Sequence, residues 1–209
     1  MAKEILKKLH WLGHDGFRLD AEGAVIYFDP FEIKGGPKAD IILISHDHFD
    51  HFSPDDIQKI KKDETVVVTN DTVAQKIDGS KQVLKAGDSW RGKGIEVKAV
   101  PAYNPDKQFH PKASGGLGFI VTVEGVKIYH TGDSDFIPEM KEIDCDIALI
   151  PISGTYVMDA DEAVEATLTI KPAVAVPMHY GAIIGSAADA EKYKKALEGK
   201  IEVVVLSKE

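Results

Sequence analysis

Ser45-His46-Asp47-His48-Phe49-Asp50-His51 follows directly on the apolar run Ile41-Ile42-Leu43-Ile44, and its reading decides the fold. Such a run of β-branched and leucine residues reads as a buried strand. Three imidazoles and two carboxylates therefore leave the end of a rigid element on a short turn. Imidazole is a good donor for zinc, iron or nickel, and carboxylate adds a hard anionic one. His46 and His48, two apart in an extended turn, point to one side and can hold one ion. Asp50 and His51, displaced along the turn, can face a second. The competing reading is a solvated polar loop, but three crowded imidazoles repel one another once protonated.

Toward the N-terminus, Lys8 to Leu19 and Gly23 to Phe28 read as two strands joined by a turn at Asp20-Ala21-Glu22-Gly23. Gly13-His14-Asp15-Gly16 interrupts the first, and its glycines allow a bend or a close backbone approach. His14 is thereby a candidate for the metal pocket or for substrate contact, with a half-buried structural histidine as the alternative. His10 reads as surface or structural. Asp29 ends the second strand, where it can orient ligating imidazoles by hydrogen bonds. Toward the C-terminus, Ser53, Pro54 and Asp56 supply the cap, first position and capping box of a helix running to about Lys62. Then come a strand Thr65 to Thr69, a short helix Asp71 to Ile77, small strands near Val83 and Trp90, and a period-two strand Gly94 to Pro101. Leu117 to Glu124 and Val126 to His130 form a hairpin that leads into Thr131-Gly132-Asp133, with His130 read as structural or as a support for the ligands. Strands at Ile147 to Pro151 and Ala173 to Pro177 flank a helix Asp159 to Ile170, whose Asp159 and Glu162 have capping-box spacing. A helix Ala187 to Leu197 and a strand Ile201 to Leu206 close the chain. This alternation supports a layered α/β fold, and no linker divides residues 1–209, so one domain is expected.

The order His46-x-His48-x-Asp50-His51, then Asp133 in Tyr129-His130-Thr131-Gly132-Asp133, then His179 in Pro177-Met178-His179-Tyr180-Gly181, resembles the metallo-β-lactamase fold superfamily, with Asp29 also in sequence. The resemblance covers about Trp11 to Tyr180. Trp11-Leu12-Gly13-His14 and the small size look like the hydrolases related to L-ascorbate-6-phosphate lactonase. The resemblance implies an αββα four-layer sandwich, two mixed sheets face to face with helices outside. It also implies two divalent cations, zinc being favoured, with manganese, iron or nickel as alternatives. The first ion would take His46, His48 and His110, the second Asp50, His51 and His179, and Asp133 would bridge. The pattern departs in one place: many relatives carry a histidine directly after the strand ending at Pro101, where this chain has Asn104. Asparagine is a poor ligand for such metals, and a six-residue loop can return His110 to the ion, so His110 is preferred over Asn104. The implied chemistry is hydrolysis by a hydroxide shared between two cations, with Asp50 a further candidate proton acceptor. Tyr103, Lys112, Tyr156 and Tyr180 are candidate pocket residues, Lys112 for an anionic group.

The 209 residues can bury about 70% of their unfolded surface. The composition, 44% hydrophobic and 28% charged, is that of a globular protein. A net charge of −9 counts against phosphate backbones as partners. The single cysteine, Cys145, allows no internal disulfide and suits a reducing compartment. No secretion signal and no membrane-length apolar run is seen, so a cytoplasmic protein is expected. The leading expectation is a hydrolase of a small lactone or ester, phosphorylated or not. A phosphodiesterase or nuclease and a non-catalytic metal-binding protein are the alternatives, and assembly with further copies of the chain is left open.

Overall fold

The Gly13–Gly16 segment reverses the chain instead of merely interrupting it. Gly13 at φ +102° and His14 at φ +51° fold the expected long first strand into two antiparallel strands, β1 (Leu9–Gly13) and β2 (Gly16–Ala21). Glycine takes such a φ freely; histidine does not. The His14 turn is held from outside, because its carbonyl accepts from Trp11 Nε1 at 2.9 Å and from the His179 amide at 3.1 Å. A short helix α1 (Ala2–Leu6), not expected from the sequence, precedes β1.

The computed structural model describes residues 1–209. β1 and β2 continue into β3 (Ala24–Phe28), β4 (Ile41–Ile44), β5 (Val66–Thr69) and β6 (Lys81–Val83), a six-stranded sheet in sequence order. The second sheet runs in the order β13-β12-β11-β10-β9-β8-β7. It is built from β7 (Ser89–Gly92), β8 (Ile95–Pro101), β9 (Leu117–Val123), β10 (Val126–His130), β11 (Ile147–Pro151), β12 (Val174–Met178) and β13 (Glu202–Val203). Both sheets are mixed. In each, the early strands pair antiparallel and the later ones parallel. The parallel strands β4, β11 and β12 are buried along their whole length, which is why they read as unbroken apolar runs.

One large core lies between the sheets, with Leu19, Phe28 and Leu43 from the first packed among Val97, Val121, Ile128 and Leu149 from the second. On the outer face of the first sheet, Ile57 and Ile60 of α2 (Pro54–Ile60) cover Ile42, Ile44 and Val67. The short helix α3 (Asp71–Ala74) follows β5. On the second sheet, α4 (Ala160–Ile170) packs through Ala163, Ala166 and Ile170, and α5 (Ala187–Ala196) through Ala190 and Tyr193. This is the expected sandwich of two mixed sheets flanked by helices.

Two expected capping boxes form only by half. Ser53 and Asp159 do cap α2 and α4. The Asp56 carboxylate, however, accepts from the amides of Glu32 and Ile33, and Glu162 accepts from the amide of Phe136. Each acid thus ties down a loop instead of turning back to its own helix. A complete box forms instead at Ser186 and Asp189, ahead of α5.

Strand direction positions the site. Counting antiparallel and parallel pairings across the first sheet, β1, β3 and β4 run the same way; across the second, β8, β10, β11 and β12 do. The C-terminal ends of these strands carry, in turn, His14, Asp29, His46 to His51, the Asn104 to His110 loop, Asp133, Ser153 and His179. An open α/β sheet places ligands at its strand carboxyl ends. Here two sheets do so at one shared edge.

Candidate metal centre

All seven residues expected as ligands come together at this edge. In one group, His110 Nε2 lies 3.0 Å from His48 Nδ1 and 3.3 Å from Asp133 Oδ2, and His46 Nε2 lies 4.0 Å from that same oxygen. In the other, Asp50 Oδ2 lies 3.8 Å from His51 Nε2, while Asp133 reaches His51 Nε2 at 3.3 Å through Oδ1 and His179 Nε2 at 3.4 Å through Oδ2. Asp133 therefore stands between two donor groups, each able to hold an ion. Donors about 2.0–2.1 Å from one tetrahedral ion stand about 3.4 Å apart, close to these separations.

The hydrogen bonding has the same sense. His46 Nδ1 meets Ser45 Oγ at 2.9 Å, His51 Nδ1 meets Asp29 Oδ2 at 2.8 Å, and His179 Nδ1 meets Ser153 Oγ at 2.8 Å. The opposite atoms His46 Nε2 and His51 Nε2, with Asp133 Oδ1, are buried without a hydrogen-bond partner. An unpaired buried polar group costs about 1–3 kcal/mol. A divalent cation at each group would satisfy these atoms together, so the residues present fit two ions.

Asp29 has the expected supporting place. Its Oδ1 accepts the Ser45 amide at 2.8 Å, and its Oδ2 accepts Ser45 Oγ at 2.6 Å beside His51. Asn104 presents no donor to the cluster. Its Oδ1 accepts the Asp135 amide at 3.0 Å, and its Nδ2 lies 3.1 Å from His110 Nδ1. It is His110 that offers a ring nitrogen to the cluster, and Asn104 holds the loop behind it. His14 joins the second group, its Nε2 on Asp50 Oδ2 at 3.0 Å and its ring 4.0 Å from that of His179. Four non-glycine residues here, His14, Asp29, His110 and His179, have positive φ. Such backbone costs about 1–3 kcal/mol each and persists where the surroundings over-determine it.

The charge balance is uneven. Burial pushes the Asp133 carboxyl up, but His51 and His179 outweigh it and hold the group well below the ordinary range. Burial likewise disfavours charge on His51 and His179, yet Asp133 overrides it, raising His51 well above its usual value and His179 to about 9. His46, with burial and the neighbouring His51 against it, is pushed well down. Burial also lowers His14 and His110.

Sequence reading missed several participants. Asp15 is fully buried, both its oxygens lack a partner, and it lies within ligand distance of His51, Asp133 and His179. Burial raises its carboxyl well above the usual range. Ser45 and Ser153 orient imidazoles, and only strand register would have found Ser153, two residues past Pro151, which pairs with Met178. The tyrosines divide. Tyr156 lines the cavity of about 390 Å³ over the cluster, with His48, Asp50 and Asp133. Tyr180 stacks on Trp11 at 4.8 Å, away from that cavity. Lys112 lies with Tyr103 in a separate cleft, where its ammonium pairs with Glu139 at 2.7 Å. His130 is buried against Phe28 and bonds to the Asp15 carbonyl at 2.9 Å, a structural place.

Residues 8–179 match the family described as a beta-lactamase superfamily domain. A UPF0173 metal-dependent hydrolase of Archaeoglobus fulgidus is 34% identical, with 95% of each chain covered. One of Thermoplasma acidophilum is 35% identical over 95% of this chain and 94% of its own. Among solved structures, a protein of Parabacteroides distasonis superposes with a TM-score of 0.85 at 33% identity, covering 95% of this chain and 93% of its own. A metallo hydrolase of Ignicoccus hospitalis does so at 0.77 and 25%, covering 95% and 94%. With the donor groups, sheet order and family pattern in agreement, the chain belongs to the β-lactamase superfamily, in its UPF0173 family of metal-dependent hydrolases.

Proposed function

We propose that the protein hydrolyses a small lactone or ester at a pair of divalent cations, zinc by preference, held by His46, His48 and His110 on one side, Asp50, His51 and His179 on the other, and Asp133 between. The observation that carries this reading is the set of buried atoms without a hydrogen-bond partner, His46 Nε2, His51 Nε2 and Asp133 Oδ1, each within a donor group able to hold a cation. When bound, the cations supply Lewis acidity, lowering the pKa of water toward neutrality and polarising a substrate oxygen.

The chain's own residues do the rest. Asp29, Ser45 and Ser153 fix the orientation of three imidazoles through Nδ1, so that Nε2 of each faces the cluster. Asp50 is anchored through one oxygen to His14 and lines the cavity, so its other oxygen is placed to take a proton from water and return it to the leaving group. Burial works against the charge on Asp50, but the His14 hydrogen bond and the nearby His51 keep the carboxyl below its ordinary range, so it stands ionised. A structural metal site is closed by protein ligands. Here His48, Asp50 and Asp133 line an open cavity, which favours catalysis over a purely structural role. The negative net charge favours a small molecule over nucleic acid.

The test joins metal content to turnover. The reading expects about two ions per chain, cleavage of a lactone or carboxylic ester, and loss of both on chelation. A fully loaded protein that cleaves phosphodiesters and no ester would replace the ester reading.

A further inference from the structure

Among the large apolar side chains, five are exposed: Met1, Phe49, Val83, Phe109 and Ile183. Three of them, Phe49, Phe109 and Ile183, line the single cavity over the metal centre. They arrive on three separate loops, after β4, β8 and β12, so no local sequence feature groups them. Ligand geometry explains those loops but does not require apolar residues on them. Aromatic pairs stand at two places along the cavity. Phe31 and Phe49 meet edge-to-face at 5.8 Å beside His14, and Phe109 and Tyr156 do so at 4.8 Å beside His110.

The cations nearby are all engaged. Lys76 pairs with Asp47 at 2.6 Å, Lys107 with Asp135 and the Val157 carbonyl, and Lys112 with Glu139. No lysine or arginine lines the cavity. An anionic group on the substrate, remote from the metal centre, would lose its water and find no cationic side chain there. An apolar group would cover Phe49 and Phe109, which otherwise face solvent.

We propose that the substrate is an ester or lactone without an anionic group, carrying an apolar, preferably aromatic, group that lies between Phe49 and Phe109 against Ile183. Of the two forms left open, phosphorylated or not, the proposal takes the unphosphorylated one. The proposal rests on the hydrolase reading for its chemistry, but the cavity can be tested without turnover. A volume of about 390 Å³ is at the small end for ligand pockets, enough for one ring and a short chain.

Two measurements on the metal-loaded protein test it. The first is calorimetric binding of 4-phenylbutan-2-one, which cannot be hydrolysed, against its ring-sulfonated analogue. The neutral ketone should bind at least tenfold more tightly, and Phe49→Ala and Phe109→Ala should each lose about tenfold, with metal content and melting temperature showing that the variants fold. The second is kcat/KM for p-nitrophenyl acetate, butyrate and hexanoate, expected to rise up to about fourfold per added methylene until the cavity is full. Equal or tighter binding of the sulfonate would overturn the proposal. So would ester cleavage indifferent to chain length, which leaves the hydrolase reading standing. Ketone binding with no ester cleaved would remove the hydrolase reading and leave the apolar cavity. A dimer abolished by Phe49→Ala with unchanged ketone binding would make the rim an interface between copies, and the proposal would fall.

Discussion

Asp29→Asn tests the logic of the centre, because one carboxylate supports both donor groups. Its Oδ2 accepts from Ser45 Oγ and faces His51 Nδ1, while Ser45 Oγ in turn meets His46 Nδ1. Asparagine keeps the size but replaces one acceptor oxygen by an NH2. If the amide nitrogen takes the Oδ2 place, it donates to His51 Nδ1 and forces the ring proton onto Nε2, the atom that would hold the cation. If it takes the Oδ1 place, it confronts the Ser45 amide, donor against donor. Either arrangement removes a charge-assisted bond worth about 1.5–3 kcal/mol. Loss of such a support typically weakens metal affinity about 10–100-fold. Both ions should weaken, since His46 and His51 belong to different groups. The loss should be smaller at pH 7 than at pH 9. Burial opposes a proton on His51, but Asp133 and Asp29 together overcome it, so the unloaded wild-type protein at pH 7 must first give that proton up. Chelator competition at the two pH values, with each ion's stoichiometry counted, measures this. Affinities for both ions within threefold of wild type at pH 9 would refute the reasoning.

Metal loading at pH 7 should release between one and two protons, because His179, raised to about 9, and His51 are both protonated in the unloaded protein; binding heats in buffers of different ionisation enthalpy count them. The sign follows from the raised values. The stabilising effect of His179 on the unloaded protein is complete below its ordinary 6.5 and lost as pH rises through about 9, so the unloaded melting temperature should fall over that window while metal affinity rises. Asn104→Ala should lower occupancy of one ion by about tenfold and spare the other, since Asn104 backs His110 alone; metal analysis under limiting zinc decides this, and equal loss of both ions would refute it. Lys112→Ala should leave kcat/KM for an ester within twofold, because Lys112 pairs with Glu139 in another cleft; a larger fall would return it to the substrate.

The strongest sequence signals were those in which one short segment carries a complete function. The His46 to His51 run needs only the strand before it to read as a ligand turn, and the strands themselves read clearly because β4, β11 and β12 are buried on both faces. Asp133 and His179 were legible through the family pattern; nothing local distinguishes them from other residues at strand ends. The loop between Pro101 and Leu117 was harder. Which of Asn104 and His110 meets the cluster depends on a backbone at φ +53° at His110 and on the Asn104 amide bonding to the His110 carbonyl at 2.9 Å, and propensity encodes neither.

The remaining misses share one physical cause: each is a side chain whose partner lies far along the chain. Asp56 and Glu162 had ideal spacing for their own helices, yet amides at Glu32, Ile33 and Phe136 took them. Those amides belong to loops that would otherwise bury unpaired donors, and an unsatisfied backbone group costs more than a helix end left to water. Asp15 is the extreme case. A carboxyl beside a glycine reads as a turn residue, but once β1 and β2 fold at Gly13–Gly16, the pairing of strands in both sheets carries it into the cluster edge with no partner for either oxygen. Local spacing therefore reads donors that act on their own element. Donors that serve a site assembled from seven strand ends become legible only when strand direction and register are known.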